Sequence, residues 1–119
     1  MKKIGFFLFT LFSLVGCSDF IEYPLENKMV SLLSPKDNLL TNDSVVTFWW
    51  ETHQDANFYR IQIINPNFKD PEKLIMDSIV VKDKVEFKLK SGKYQWRVRP
   101  ENDGSQGAFS SPRNLEVSY

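Results

Sequence analysis

The chain has 119 residues, one cysteine and one histidine, and its fifteen Lys and Arg are balanced by fifteen Asp and Glu. That length suits one domain rather than a multi-domain enzyme. A lone cysteine excludes a disulfide-stapled scaffold, and zero net charge gives no field to gather nucleic acid or an acidic polymer. The distribution is uneven, however. The first sixteen residues hold Lys2 and Lys3, no acid, no proline and four of the ten phenylalanines. The 103 residues after them carry 13 basic and 15 acidic side chains, a net charge of −2.

Met1-Lys2-Lys3 is a short positive segment, and residues 4–15 form an apolar run broken only by Gly5, Thr10 and Ser13. Twelve residues rise about 18 Å as a helix, well short of the ~30 Å hydrocarbon core of a bilayer. The run therefore reads as a cleaved signal peptide, residues 1–16, rather than a membrane span. It ends in Leu14-Val15-Gly16-Cys17, which resembles the lipobox of bacterial lipoproteins. The resemblance implies that Cys17 carries a covalent lipid, diacylglycerol on the thiol and an acyl chain such as palmitate on the new amine. Two or more chains anchor stably where one does not. Ser18 stands where an aspartate would retain a lipoprotein at the inner membrane, so the resemblance implies the outer membrane of the cell envelope. Periplasmic and surface-facing placements both stay open. Residues 17–28 read as the lipidated cysteine and a flexible tether, with Pro24 and no hydrophobic period; eleven such residues span roughly 18 Å. Phe20, Ile21 and Tyr23 can dip into the membrane interface or pack on the domain.

Residues 29–119 are a succession of short β-like runs separated by turn residues. The first, 29–33, precedes the turn cluster Pro35-Lys36-Asp37-Asn38. In 45–51, Val46, Phe48 and Trp50 alternate with Val45, Thr47, Trp49 and Glu51. A polar turn at His53-Gln54-Asp55 leads to 58–64, where Tyr59, Ile61 and Ile63 point one way and Arg60 and Gln62 the other. Pro66 and Pro71 bracket a loop, because proline is excluded from central strands. Runs at 74–81 and 84–89 follow, the latter with Val85, Phe87 and Leu89 inward. Gly92 turns the chain into 93–99, where Tyr94, Trp96 and Val98 alternate with Gln95, Arg97 and Arg99. Residues 100–107 read as a polar loop, and Leu115 and Val117 close the last strand. About seven short alternating strands predict an all-β antiparallel sandwich, not a parallel sheet buried on both faces.

Trp50, Tyr59 and the segment Leu89-Lys90-Ser91-Gly92-Lys93-Tyr94-Gln95-Trp96-Arg97-Val98 together resemble a fibronectin type III domain. The resemblance implies an immunoglobulin-like sandwich with Tyr94 as the tyrosine-corner residue, its hydroxyl bonded to upstream backbone and its ring in the core. Leu89 to Tyr94 is one residue shorter than usual, so fibronectin and other immunoglobulin-like strand orders both stay open. The whole chain resembles small Gram-negative envelope lipoproteins carrying one such domain, a group that implies no particular activity.

Catalysis needs titratable groups that converge. His53 lies in a polar turn, Cys17 is taken by lipid, and no further His or Cys completes a zinc site of three or four ligands. Glu101 and Asp103 superficially resemble part of a calcium loop but lack its run of oxygen ligands, and Asp or Asn before Gly is ordinary turn chemistry. The sequence therefore predicts no enzyme, no metal and no cofactor beyond the lipid on Cys17. The candidate recognition face is Arg60, Gln62, Gln95, Arg97 and Arg99, on strands that share a sheet in the fibronectin arrangement, together with the outward Trp49. The expected function is a lipid-anchored, non-catalytic binding or scaffolding module. The alternative is a glycan-binding accessory lipoprotein of a polysaccharide-uptake system. The membrane is the expected partner through the anchor, a protein or glycan partner is open, and nucleic acid is excluded.

Overall fold

Period-two alternation becomes eight strands in the computed structural model, which describes residues 23–119. The signal peptide, the lipobox and Cys17 lie outside the described residues. The strands are β1 (Leu32–Ser34), β2 (Leu39–Thr41), β3 (Val45–Trp50), β4 (Phe58–Asn65), β5 (Lys73–Val80), β6 (Lys84–Lys88), β7 (Gly92–Glu101) and β8 (Arg113–Val117). They form two sheets, β1-β3-β6 and β2-β8-β7-β4-β5. Every pair is antiparallel except β2 with β8. No described residue is helical.

The inward sets meet between the sheets. From β3 come Val46, Phe48 and Trp50; from β4, Tyr59, Ile61 and Ile63; from β7, Tyr94, Trp96 and Val98; Leu89, Leu115 and Val117 complete the layer. Phe48 meets Trp96 edge-on at 5.0 Å and 70°, and Trp50 meets Tyr59 at 5.8 Å and 61°, the geometry ring quadrupoles favour. Val85 and Phe87 are only half-buried, because β6 is an edge strand of the smaller sheet.

Strand β5 narrows the strand order, because it pairs with β4 rather than joining the sheet of β3 and β6. A constant-type immunoglobulin domain would place that strand in the other sheet. The Tyr94 hydroxyl donates to the Lys90 carbonyl at 2.7 Å while its ring is buried, the corner expected from the resemblance.

Three readings need correction. The first strand is β1, later than 29–33, although Val30 is buried beside it. Residues 100–107 are not wholly loop: β7 continues through Pro100 and Glu101, paired with Tyr59 and Phe58. Both are buried, and proline is accommodated near the strand's end.

The third correction concerns the tether, because residues 23–28 lie against the domain. Leu25 is fully buried and its N–H donates to Ser105 Oγ at 2.9 Å. Asn102 Nδ2 donates to the Tyr23 carbonyl at 2.9 Å and the Asp55 carbonyl at 3.1 Å. The Ala108 N–H reaches the Lys28 carbonyl at 2.8 Å. A Cβ at Gly107 would stand 2.6 Å from that carbonyl oxygen and 2.6 Å from Pro100 Cγ, so only glycine permits the approach. The Tyr23 ring itself is exposed. One anchoring leucine has no periodicity, which is why the segment reads as linker.

Candidate recognition face

The outer surface of the five-stranded sheet is built on the register of its two central strands. Arg60 of β4 lies directly opposite Arg99 of β7, Gln62 opposite Arg97, and Ile64 opposite Gln95. Like charges opposite one another on a sheet are destabilising, so the Arg60–Arg99 pair demands a counter-charge. Glu101 supplies it, because β7 runs two residues further than the alternation suggests. Its Oε2 accepts from Arg99 Nε at 2.7 Å and Arg60 Nε at 3.2 Å. Asp77, on β5, accepts from Arg60 Nη1 at 2.8 Å.

Titration follows this geometry. Hydrogen bonding to Arg60 holds the Asp77 carboxyl below its ordinary value, against a smaller opposing effect of burial. The same bond raises Arg60. Arg97 moves the other way: burial lowers it, and the neighbouring Arg99 charge adds to the effect.

Arg97 is held differently from its neighbours. Its Nε donates to Gln62 Oε1 at 2.9 Å. Its guanidinium carbon lies 3.9 Å from the centroid of Phe68 and 4.2 Å from that of Phe109, with Arg99 also over Phe109 at 4.6 Å. Two loops deliver these rings. The Phe68 N–H donates to Gln95 Oε1 at 3.0 Å, and Gln95 Nε2 donates to Asn114 Oδ1 at 2.8 Å, tying the loop after β4 onto the sheet. Phe109 is set by its neighbour Ser110, whose N–H donates to the Val98 carbonyl at 2.8 Å and whose Oγ accepts from the Val98 N–H at 3.1 Å.

The structure thus brings Arg60, Gln62, Gln95, Arg97 and Arg99 together on one sheet and separates them from Trp49. Trp49 is on β3, in the other sheet, and its side chain points away from the core. It is 44% exposed, and its Nε1 donates to Asp83 Oδ2 at 3.2 Å. Phe68, Phe109, Asp77 and Glu101 were not among the expected face residues. The available signal was two phenylalanines in otherwise polar loops and one acid ending a strand of alternating Arg and Gln. Beyond Gln95 a shallow groove of about 590 Å³ runs between Pro66 and Leu39, with Lys69 and Lys93 set against Asp70 and Glu116.

The other candidates resolve into turn chemistry. His53 Nδ1 accepts from the Asp55 N–H at 3.1 Å, and its own N–H donates to the Tyr59 hydroxyl at 3.0 Å. In the 101–106 loop, Asn102 Oδ1 accepts from the N–H groups of Gly104 and Ser105 at 3.0 and 2.8 Å, while Glu101 faces the arginines. No cluster of three His, Cys, Asp or Glu suited to a metal exists among the described residues.

No protein-family model and no curated protein sequence matches the chain. Solved structures match its fold. The FN5 domain of Drosophila Lar is similar at a TM-score of 0.56 and 14% identity, over 82% of this chain and 99% of that one. The fourth fibronectin type III domain of a human protein matches at 0.54 and 16%, over 87% and 88%. A fibronectin type III-like protein from Clostridium thermocellum matches at 0.51 and 14%, over 76% and 88%.

Proposed function

We propose that this fibronectin type III-like sandwich is a non-catalytic binding or scaffolding module, held at the outer membrane of a bacterial cell envelope by lipid on Cys17. The observation that carries the binding role is the ordered arginine face of the five-stranded sheet. Its side chains are half-buried and its arginines are fixed by partners on their own and neighbouring strands, so little rotamer entropy remains to be lost on contact. Arginine is also among the residues that concentrate binding energy at interfaces. The lipobox motif supports the anchor, and the sandwich type supports a role without chemistry.

Affinity capture of the full chain from native membranes tests both halves. Cys17→Ser should leave an uncleaved, unlipidated precursor, read by detergent partitioning and mass analysis of the N-terminal peptide. A soluble mature protein with unmodified Cys17 would overturn the anchor. Changing Arg97 and Arg99 together to Ser should abolish capture; the same partners recovered at parental yield would dismiss the face.

The exposed indole of Trp49 favours a second reading, a glycan-binding accessory role in polysaccharide uptake, because a flat aromatic surface can stack on a sugar ring. Capture of a neutral glycan that is lost in Trp49→Ser but kept in the arginine variant would select it.

A further inference from the structure

Among the three arginines of the face, charge is spent unequally. Glu101 and Asp77 neutralise Arg60 and Arg99 between them. Arg97 is paired with no carboxylate: Asp77, one strand further along its row, acts on it only through its charge, and both Arg97 Nη groups lack protein acceptors among the described residues. Its Nε is occupied by Gln62, and its guanidinium lies over the rings of both Phe68 and Phe109. What a guanidinium so enclosed still offers is its outer edge, a planar pair of donors whose geometry matches a carboxylate.

We propose that the Arg97 edge is a carboxylate-binding site, and that its ligand is an acidic side chain of a partner polypeptide set among apolar neighbours. This rests on the recognition-face reading and narrows it. Neutral sugars fit poorly: Gln95 uses both ends of its amide on Phe68 and Asn114, and the Gln62 oxygen is given to Arg97. A polyuronate fits poorly as well. It brings a carboxylate with each residue to a face with one unspent positive charge, and meets Asp77 and Glu101 beside it. A single acid flanked by apolar side chains meets that one charge and brings one carboxylate rather than many past Asp77, which lies in the Arg97 row; the exposed Ile79, opposite Arg60 in the next row, offers an apolar neighbour on β5. The depressed pKa of Arg97 agrees, since burial has already removed part of its hydration. Stacking on both rings and the bond to Gln62 hold the edge in place before any ligand arrives.

The test is arginine side-chain ¹⁵N NMR of the full chain in detergent micelles. It is titrated with a capped Val-Glu-Val tripeptide, its Val-Gln-Val counterpart and polygalacturonate. The Arg97 resonances should shift and saturate with the glutamate peptide, about tenfold more weakly with the glutamine peptide, while Arg60 and Arg99 stay in place. Arg97→Lys keeps the charge but loses the planar pair, and should weaken the glutamate peptide by a similar factor. Should that variant not fold, the glutamate–glutamine comparison on the parent still decides. Equal responses to the two peptides, or shifts spread over all three arginines, overturn the site. Stronger saturation by polygalacturonate overturns the polypeptide as its source. If native capture depends on Arg97 and Arg99 while the peptide leaves Arg97 unmoved, the face stands and the carboxylate falls. If nothing is captured through the face at all, the parent reading falls first.

Discussion

Replacing Trp96 with Ala should be the most damaging single change in the β7 core. The side chain is fully buried and packs edge-on to Phe48. A tryptophan buries about 200 Å², worth ~5 kcal/mol at ~25 cal/mol per Å², or ~3–4.5 kcal/mol once a compact denatured chain is allowed for. Losing the ring pair adds ~0.5–1.5 kcal/mol. The sum, ~3.5–6 kcal/mol, overlaps the ~3–5 kcal/mol typical of such truncations. A domain of this size loses about 4–8 °C of Tm per kcal/mol, so the fall should be at least ~12 °C. The indole Nε1 is buried with no acceptor among the described residues, and an unpaired buried donor costs ~1–3 kcal/mol. Trp96→Phe removes that donor while keeping an aromatic ring, so it should cost far less than its loss of size suggests. Circular dichroism melts of the full chain and both variants measure this. A fall below about 5 °C for the alanine variant would refute the inward register. Equal damage by phenylalanine would refute the claim that the indole N–H is a burden.

Three further outcomes follow from single contacts. Tyr94→Phe removes the hydroxyl bond to the Lys90 carbonyl and should cost ~1 kcal/mol, about 4–8 °C in the same melt; an unchanged Tm would remove the corner from the account. Because the folded Asp77 carboxyl sits below its ordinary value of 3.8, the stability it contributes is whole above that value and is lost as pH falls below it. Asp77→Asn should therefore flatten the acid limb of the urea midpoint below about pH 4, more clearly at low salt, and identical limbs would contradict the Arg60 pairing. Gly107→Ala must displace either the Lys28 carbonyl or Pro100 and should cost ~1–3 kcal/mol. Limited proteolysis should then cut within residues 23–28, and a segment as resistant as the parent's would count against the close approach.

Strand content was legible wherever side chains alternate. Val46, Phe48 and Trp50 announce β3, and Tyr94, Trp96 and Val98 announce β7, because one face is buried and the other wet. Strand β2 has no such pattern. It is three residues long and gains its place only from the parallel pairing of Leu39 with Leu115, a partner invisible to local reading. Leu25 escaped for the same reason. On the candidate face, the five outward Arg and Gln positions follow from alternation alone. Their chemistry does not, because it depends on which groups return from distant sequence: Asp77 from β5, and Phe68 and Phe109 from loops. Reading residues 100–107 as a loop also hid the counter-charge that lets Arg60 and Arg99 stand opposite one another. Trp49 was correctly read as outward, but outward from the other sheet.

The docked segment 23–28 changes how the domain responds to load. On the proposed lipid anchor, only residues 18–22 separate Cys17 from Tyr23, a span of at most about 22 Å when fully extended. Tension between the membrane and a bound partner would reach the fold first at Leu25 and at the hydrogen bonds that join this segment to Asn102, Ser105 and Ala108. These lie just beyond β7, a central strand of the larger sheet, flanked by β4 and β8. Pulling therefore loads the middle of the five-stranded sheet before it can peel the short edge strand β1. On that anchor, release of Leu25, which lies outside the core cluster, would act as a fuse: it would lengthen the leash while the two-sheet core stays packed.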